Sequence, residues 1–242
     1  CATLSELVMQ VKKGQDSLVK RAAARLNLFY DYVLIDEFQD FREHDYELIM
    51  ALAKHLNRVM LVGDYYQHSV SATNNSGKPF KKKKEDVGYS EFISELQKGG
   101  FHVDTTTLDK SRRCSADVCD YVSKKLGINL ASYDGHAGSV IWVNDMAEEV
   151  LNNSQIVKLV YMESEKYSFK SLNWSYSKGD TVDTACVILT DKFEHLDDDN
   201  FSIKGISPST INKLYVAMTR SRGDLYLMKS STFKRIKHFY IN

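Results

Sequence analysis

Long hydrophobic runs are absent from this 242-residue chain. None approaches the roughly 20 apolar residues that a membrane-spanning helix needs, and the N-terminus has no secretory signal pattern. No membrane partner is therefore expected, and a cytoplasmic setting is. Net charge is missing as well: 32 basic residues balance 32 acidic ones. No global field draws a polyanion, so any nucleic-acid surface has to be local. Cysteine is scarce. Cys1, Cys114, Cys119 and Cys186 form no C-x-x-C pair and have no histidine cluster at ligand spacing, which argues against a structural zinc or a disulfide framework and for a reducing compartment. No internal repeat occurs. What remains is ordinary globular composition, 43% hydrophobic and 26% charged, long enough for one large α/β domain or two lobes.

Strand and helix patterns alternate along the chain. Residues 3–27 read as helix, with Leu4, Leu7, Val8 and Val11 at helical spacing and Leu18, Ala22 and Leu26 continuing the stripe. Residues 33–35 read as a strand buried on both faces, 44–56 as a helix and 58–64 as a second buried strand. Two strands joined by one helix make a βαβ unit and a parallel sheet. Residues 71–88, with Ser, Asn, Gly, Pro and four lysines, read as an exposed loop, and a helix near 90–97 stops at Gly99-Gly100. A second lobe is expected from Phe101, with strands over 101–108, 139–143, 156–162, 185–190 and 225–229. Its helices are expected over 115–126, 146–152 and 208–219.

The strings that carry chemistry sit at the ends of these strands. Val33-Leu34-Ile35 runs into Asp36-Glu37-Phe38-Gln39-Asp40. Carboxylates just beyond a parallel strand suit a metal–nucleotide site: Asp36 to hold Mg²⁺ directly or through water, Glu37 to orient or deprotonate a water. An acidic helix start is the plainer explanation of the same pair. The second strand ends in Gly63-Asp64-Tyr65-Tyr66-Gln67, where Asp64 can support a metal–water network and Gln67 can bond a phosphate oxygen or the attacking water. Ser111-Arg112-Arg113 offers a guanidinium fork for phosphate, or simply a surface pair before a helix capped by Ser115. Ser177-Lys178-Gly179-Asp180-Thr181 is a small-polar turn that can present N–H groups to phosphates. Tyr215-Val216-Ala217-Met218-Thr219-Arg220 delivers Arg220 at the end of a helix, as an arginine finger or as a helix-capping cation. Lys81, Lys82, Lys83 and Lys84 make either a solvated tip or a loop that follows phosphates on a single strand.

Taken in order, these strings resemble superfamily 1 helicases of the UvrD/Rep type. Leu34 to Asp40 resembles motif II, Val62-Gly63-Asp64 with Gln67 motif III, and Leu108 with Arg113 motif IV. Lys178-Gly179 with Asp183 resembles motif V, and Tyr215 to Arg220 motif VI. The resemblance implies an α/β, RecA-like P-loop NTPase fold, with parallel sheets flanked by helices. Part of a first lobe would span 1–100 and a complete second lobe 101–242. It implies ATP and Mg²⁺ as cofactors, with Asp36 as the metal ligand and Glu37 as the residue that activates water. Gln67, Arg113 and Arg220 would contact the γ-phosphate, and Asp64, Lys178 and Gly179 would complete the nucleotide site. The implied partner is single-stranded or partly duplex DNA, with RNA also open. Tyr65, Tyr66, His68, Lys81 to Lys84, Ser177 and Thr181 are its candidate contacts.

The departures from that family are specific. No G-x-x-x-x-G-K-[ST] string occurs; Gly77-Lys78 is followed by Pro79. The start at Cys1 rather than Met leads us to expect a fragment, with the phosphate-binding loop on an N-terminal segment that would act as its partner. His68 follows Gln67 where the family has a base-stacking aromatic, and Thr181 stands where it has glutamate. The short stretch from Arg113 to Lys178 leaves no room for the large accessory domain of many relatives, which makes a partner protein a candidate for unwinding. Two rival readings are a catalytically dead nucleic-acid-binding scaffold in a larger complex and an unrelated P-loop ATPase or kinase.

Overall fold

Residues 2–13, 16–68, 77–82, 85–133 and 135–242 are described in a computed structural model. They form two units, residues 1–103 and residues 104–242.

The first unit begins with α1 (Ala2–Gln10), a short antiparallel pair β1 (Lys12–Lys13) and β2 (Asp16–Ser17), and α2 (Leu18–Phe29). The single helix expected over 3–27 is thus two. Ser17 starts the second one, its Oγ accepting from the Lys20 N–H at 3.3 Å, and a cap of this kind fixes a helix start that an apolar stripe alone does not show. There follow β3 (Val33–Ile35), α3 (Glu43–Ala53), β4 (Val59–Leu61), the hairpin strands β5 (Lys81–Lys82) and β6 (Glu85–Asp86), and α4 (Tyr89–Lys98). β3 and β4 pair in parallel, Val33 opposite Val59 and Ile35 opposite Leu61, as a βαβ unit requires.

Only one face of that small sheet is covered. Ile35 and Leu61 pack on a core of Phe38, Ile49, Phe80, Val87, Phe92 and Leu96, joined by Phe101 and Val103. Leu34 and Met60, on the opposite face, are 67% and 53% exposed. Burial on both faces, expected from the continuous apolar run, does not hold for β3: side chains alternate across a strand, and α3 and α4 reach one side only. The loop expected over 71–88 is also corrected in part, because 81–86 contains the β5–β6 hairpin, Lys81 opposite Asp86 and Lys82 opposite Glu85. Lys83 and Lys84 lie outside the described residues.

The second unit comprises β7 (Lys110–Ser111), α5 (Ala116–Leu126), β8 (Ala131–Ser132), β9 (Val140–Val143), α6 (Ala147–Asn152), β10 (Val157–Val160) and β11 (Ser171–Asn173). β12 (Ala185–Ile188), α7 (Pro208–Met218), β13 (Leu225–Met228) and α8 (Ser230–Ile236) complete it. Five strands form one parallel sheet in the order β11-β10-β12-β13-β9. This is the expected α/β arrangement, with helices flanking a parallel sheet. Both faces of β10 and β12 are buried. On one face Val143, Val160, Cys186, Ile188 and Met228 meet Val150 and Leu151 of α6 and Phe233 of α8; α7 packs against β12 and α5 against both α7 and β9.

The strand expected over 101–108 does not form. Asp104 instead folds the chain back, its carboxylate accepting from the N–H groups of Thr106 at 2.8 Å and Thr107 at 3.0 Å. Side-chain bonding of this kind competes with a sheet ladder.

One core residue is anomalous. Lys158 lies in the middle of β10 with none of its surface exposed. Its Nζ donates to Asn153 O at 2.5 Å and stands 5.9 Å from the centre of the Phe169 ring. Burial lowers its pKa from the ordinary 10.5. Between that lowered value and 10.5 the unfolded chain binds the extra proton, so stability falls as pH drops from 10.5 through the folded value. Replacing Lys158 with Met removes the buried charge, and similar exchanges are neutral or stabilising. We expect Lys158→Met to gain about 1 kcal/mol at pH 7 and to lose that advantage by about pH 11, above the unfolded value. Urea midpoints at both pH values check this; an equal gap at the two would refute it.

Candidate functional site

In the first unit the acidic strings converge through one amide. β3 and β4 end side by side, and Phe38 N donates to Val62 O at 2.9 Å, which hangs the turn Phe38–Asp40 on the end of β4. Glu37 is exposed and adopts a left-handed backbone, φ 51° and ψ 39°, a conformation that costs a non-glycine residue free energy. Gln39 is 1% exposed. Its Nε2 donates to Glu37 Oε2, while its Oε1 accepts from Asp64 N at 3.0 Å. Asp64 in turn accepts from Tyr66 N at 2.9 Å and from Gln67 Nε2 at 2.8 Å. The chain of bonds thus runs from Glu37 through Gln39 and Asp64 to Gln67. Gly63 permits the approach, since a Cβ there would collide with Gln39 Oε1 and lie 3.2 Å from Phe38 N.

Asp36 is exposed at the tip of β3, with one oxygen accepting from Glu37 N at 2.8 Å. No group of three or more His, Cys, Asp or Glu able to hold a metal occurs among the described residues. The donor set still fits Mg²⁺, which is commonly held by one or two carboxylates and completed by water and phosphate oxygens. Asp64, expected to support the metal–water network, accepts from Tyr66 N on one oxygen and from Gln67 Nε2 on the other.

The candidate nucleic-acid contacts of this unit divide. His68 is buried and lies flat on Phe80, ring centres 4.1 Å apart and planes at 1°. Burial lowers its pKa to about 4 despite the bond to Tyr65 O, so the ring is a neutral core group and not an exposed stacking surface. Tyr65 is half-buried; its hydroxyl donates to Val87 O at 2.5 Å, and burial pushes its pKa up to about 12. Tyr66 stacks on Tyr89, centres 5.6 Å apart at 21°, and Tyr89 is 37% exposed. Lys81 lies 3.9 Å from Asp86 and Lys82 lies 3.5 Å from Glu91.

In the second unit three strings meet. Arg113 Nε donates to Thr181 Oγ1 at 2.7 Å and its Nη1 to Thr219 O at 3.1 Å. Thr181 is therefore occupied as the seat of Arg113. Arg220 is only 2% exposed. Its Nε donates to Val216 O at 2.8 Å and its Nη2 to Thr219 Oγ1 at 3.2 Å, so the guanidinium closes the end of α7, where carbonyls lack helical partners. Ser177 is buried, its hydroxyl donating to Trp174 O at 2.7 Å, and so is turned from solvent. Lys178 and Gly179 occupy the turn that follows, where a φ of 85° calls for glycine at 179.

Gln39 and Tyr89 are site residues that no sequence motif singles out. Gln39 stood inside the acidic string and its burial was the missing signal. Tyr89 is remote in sequence from Tyr66, and no local pattern marks it.

Residues 2–69 match the family of the UvrD/REP helicase N-terminal domain. The matched segment is less than a third of the chain. That segment holds Asp36, Glu37, Gln39, Asp64 and Gln67, at the ends of β3 and β4. No curated protein matches the sequence. Among solved structures, the helicase nonstructural protein 10 of an arterivirus superposes with a TM-score of 0.49 at 16% identity, covering 83% of this chain and 39% of that one. Its complex with DNA gives 0.48 at 17%, covering 81% and 39%. The nsp10 helicase of PRRSV gives 0.33 at 14%, covering 86% and 37%. The chain thus spans about two-fifths of the length of these helicases. No described helix is long and apolar enough to cross a membrane.

Proposed function

We propose that the chain is the part of an ATP-dependent helicase or translocase that carries motifs II to VI, acting on single-stranded or partly duplex DNA. The observation that supports this best is the Glu37–Gln39–Asp64–Gln67 network within the UvrD/REP segment. Two acidic strand ends held in register by a buried amide make a preorganised place for a water and a phosphoryl group. Asp36 would hold Mg²⁺, which would neutralise phosphate charge. Glu37 takes the proton of the attacking water, and Gln67, fixed by Asp64, orients that water or a γ-phosphate oxygen. Arg113, seated on Thr181 and Thr219, contributes guanidinium charge, with Lys178 and Gly179 on the neighbouring turn. Arg220 acts through Thr219, as a positioning residue for Arg113.

Nucleic acid meets the Tyr66–Tyr89 pair, since a half-exposed aromatic face accepts any base. Lys81 and Lys82 each carry an acidic neighbour, which limits their share of phosphate binding. Replacing both with Ala is expected to lower the salt dependence of single-strand binding by at most about 0.7 per lost contact. A fall of both contacts' worth in the log–log slope would show that Asp86 and Glu91 do not hold them back.

The test of the reading is nucleic-acid-stimulated ATP hydrolysis by the full-length protein. The 242-residue chain alone is expected to hydrolyse ATP negligibly, because it contains no G-x-x-x-x-G-K-[ST] cradle for the β/γ-phosphates. A full-length protein that binds DNA but turns over no ATP would leave the scaffold reading in its place.

A further inference from the structure

Two thiols lie against one another at the start of α5. Ser115 caps that helix, its Oγ accepting from Val118 N at 3.3 Å. Cys114 therefore stands just before the cap, and Cys119 is the fourth residue of the helix. A pair of apolar side chains commonly closes a helix entry at these two positions, and cysteine can serve there as a small hydrophobe. Both residues are fully buried. The Cys119 side chain folds back, its Sγ 3.9 Å from Cys114 O, and its thiol donates to the Cys114 sulfur. That bond, helped by Ser111 and by the charges of Arg113 and Arg220, holds the Cys114 pKa below the ordinary thiol value against the effect of burial. The same contact and burial raise the pKa of Cys119. Cys114 is thus the nucleophile and Cys119 its protonated neighbour. Cys186 is a contrast within the same unit, since burial pushes its pKa up to about 12.

An apolar staple would need no sulfur on either side, and Cys114 does more than fill space. Its Sγ donates to Thr219 O at 3.5 Å, the carbonyl that also accepts from Arg113 Nη1 at 3.1 Å. Its backbone is held between Ser111 Oγ, which accepts from Cys114 N at 3.0 Å, and Ser132 Oγ, which donates to Cys114 O at 2.8 Å. Arg113 is the preceding residue, so a turn of residue 114 moves the base of the Arg113 side chain.

We propose that Cys114 and Cys119 are an oxidation site, closed by a hydroperoxide into a disulfide that loosens the seat of Arg113. The Cys114 thiolate attacks one peroxide oxygen: an S–O bond forms, the O–O bond breaks, and hydroxide leaves. The Cys119 sulfur then attacks the resulting sulfenic acid; the S–S bond forms, the S–O bond breaks, and the oxygen departs as water with the Cys119 proton. Two thiols lose two electrons and two protons, and one hydrogen peroxide becomes two waters. From hydrogen-bond contact the sulfurs need close only to the ~2 Å of a disulfide. Cys114 then has no proton to give Thr219 O. In a reducing compartment the bond is transient, as regulatory disulfides are. The link to Arg113 rests on the proposed function; the oxidation chemistry does not.

The experiment treats the folded 242-residue chain with hydrogen peroxide, alkylates the remaining thiols in urea and maps the tryptic peptides by mass. Trypsin cuts after Arg113 and Lys124, which leaves both cysteines in one peptide, residues 114–124. That peptide should appear two hydrogens lighter and unalkylated, at a rate at least about tenfold above the oxidation of Cys186, the worth of one pKa unit in thiolate fraction. Dithiothreitol should reverse it. Cys119→Val, which cannot close the bond, should instead gain oxygen at Cys114, and Cys114→Ala should leave Cys119 reduced. A peptide that stays fully alkylated, or oxidises no faster than Cys186, would show an apolar staple only and overturn the proposal. In the full-length protein, peroxide should reversibly lower nucleic-acid-stimulated ATP hydrolysis in wild type and not in Cys114→Ala. Unchanged turnover in the fully oxidised protein overturns the link to Arg113. No turnover in either redox state, with the disulfide formed, would instead sink the enzyme reading and leave the oxidation site standing.

Discussion

Glu37→Gln in the full-length protein is expected to leave ATP binding intact and to lower nucleic-acid-stimulated hydrolysis by about 10²–10⁴-fold, the usual worth of a general base. The substitution is close to isosteric. The Gln39 amide that donates to Glu37 Oε2 can donate equally to a glutamine carbonyl, so the bonds through Asp64 to Gln67 persist. The left-handed backbone at 37 is no worse for Gln than for Glu, so the melting temperature should not move. Only the capacity to take a proton is lost. Nucleotide affinity by equilibrium binding and turnover by phosphate release separate the two effects. Hydrolysis within about tenfold of wild type, a barrier change of about 1.4 kcal/mol, would mean that Glu37 is a structural acid at a turn and that another group activates the water.

The second large effect is one of stability. Arg220→Ala removes a guanidinium that is 2% exposed and bonded to Val216 O and Thr219 Oγ1. The carbonyl at the end of α7 loses its donor, and a large void opens behind Thr219, whose own carbonyl accepts from Arg113 at 3.1 Å. Unmade buried hydrogen bonds and the cavity together are expected to cost the second unit about 2–4 kcal/mol. The measurement is selective, because both tryptophans, Trp142 and Trp174, lie in that unit and Trp174 is fully buried. Urea unfolding followed by tryptophan fluorescence should show the midpoint falling. Arg220→Lys should recover a minor part, since an ammonium on a flexible stem cannot span both acceptors as a planar fork does. Arg222→Gln, on the surface, should stay within about 0.5 kcal/mol of wild type. A loss under about 1 kcal/mol for Arg220→Ala, the range of a mere dipole-capping cation, would refute the bracing role of these buried bonds.

Local chemistry determined much of this protein from its sequence. Apolar runs ending in Asp36-Glu37 and Gly63-Asp64 set the ends of β3 and β4, since a strand stops where its residues cease to suit burial. Ser115 before α5 and Pro208 at the start of α7 marked two helices, because caps and proline act on their own neighbours. The parallel sheet of the second unit followed from alternating strand and helix periods. Elements too short for a period were not legible: β7, β8 and β11 are held by partners far away in the chain, and a strand pattern over 101–108 yielded to the bonds of Asp104. Periodicity also could not tell that Leu34 and Met60 face outward, because an apolar run reads the same whether one face is covered or both.

Which charged group faces a ligand was decided only by the tertiary structure. Arg220 and Arg222 are two residues apart, and nothing in their string says that one is buried and the other exposed. That depends on Val216, Thr219 and the backbone bond from Arg222 N to Val182 O, contacts set by how α7 ends against the turn before β12. The same holds for Gln39, a surface residue by composition and the buried hinge of the acidic site by position. Sequence specifies which chemistry is available; burial, through the cost of leaving a polar group unpaired, selects which of those groups remain free to use it.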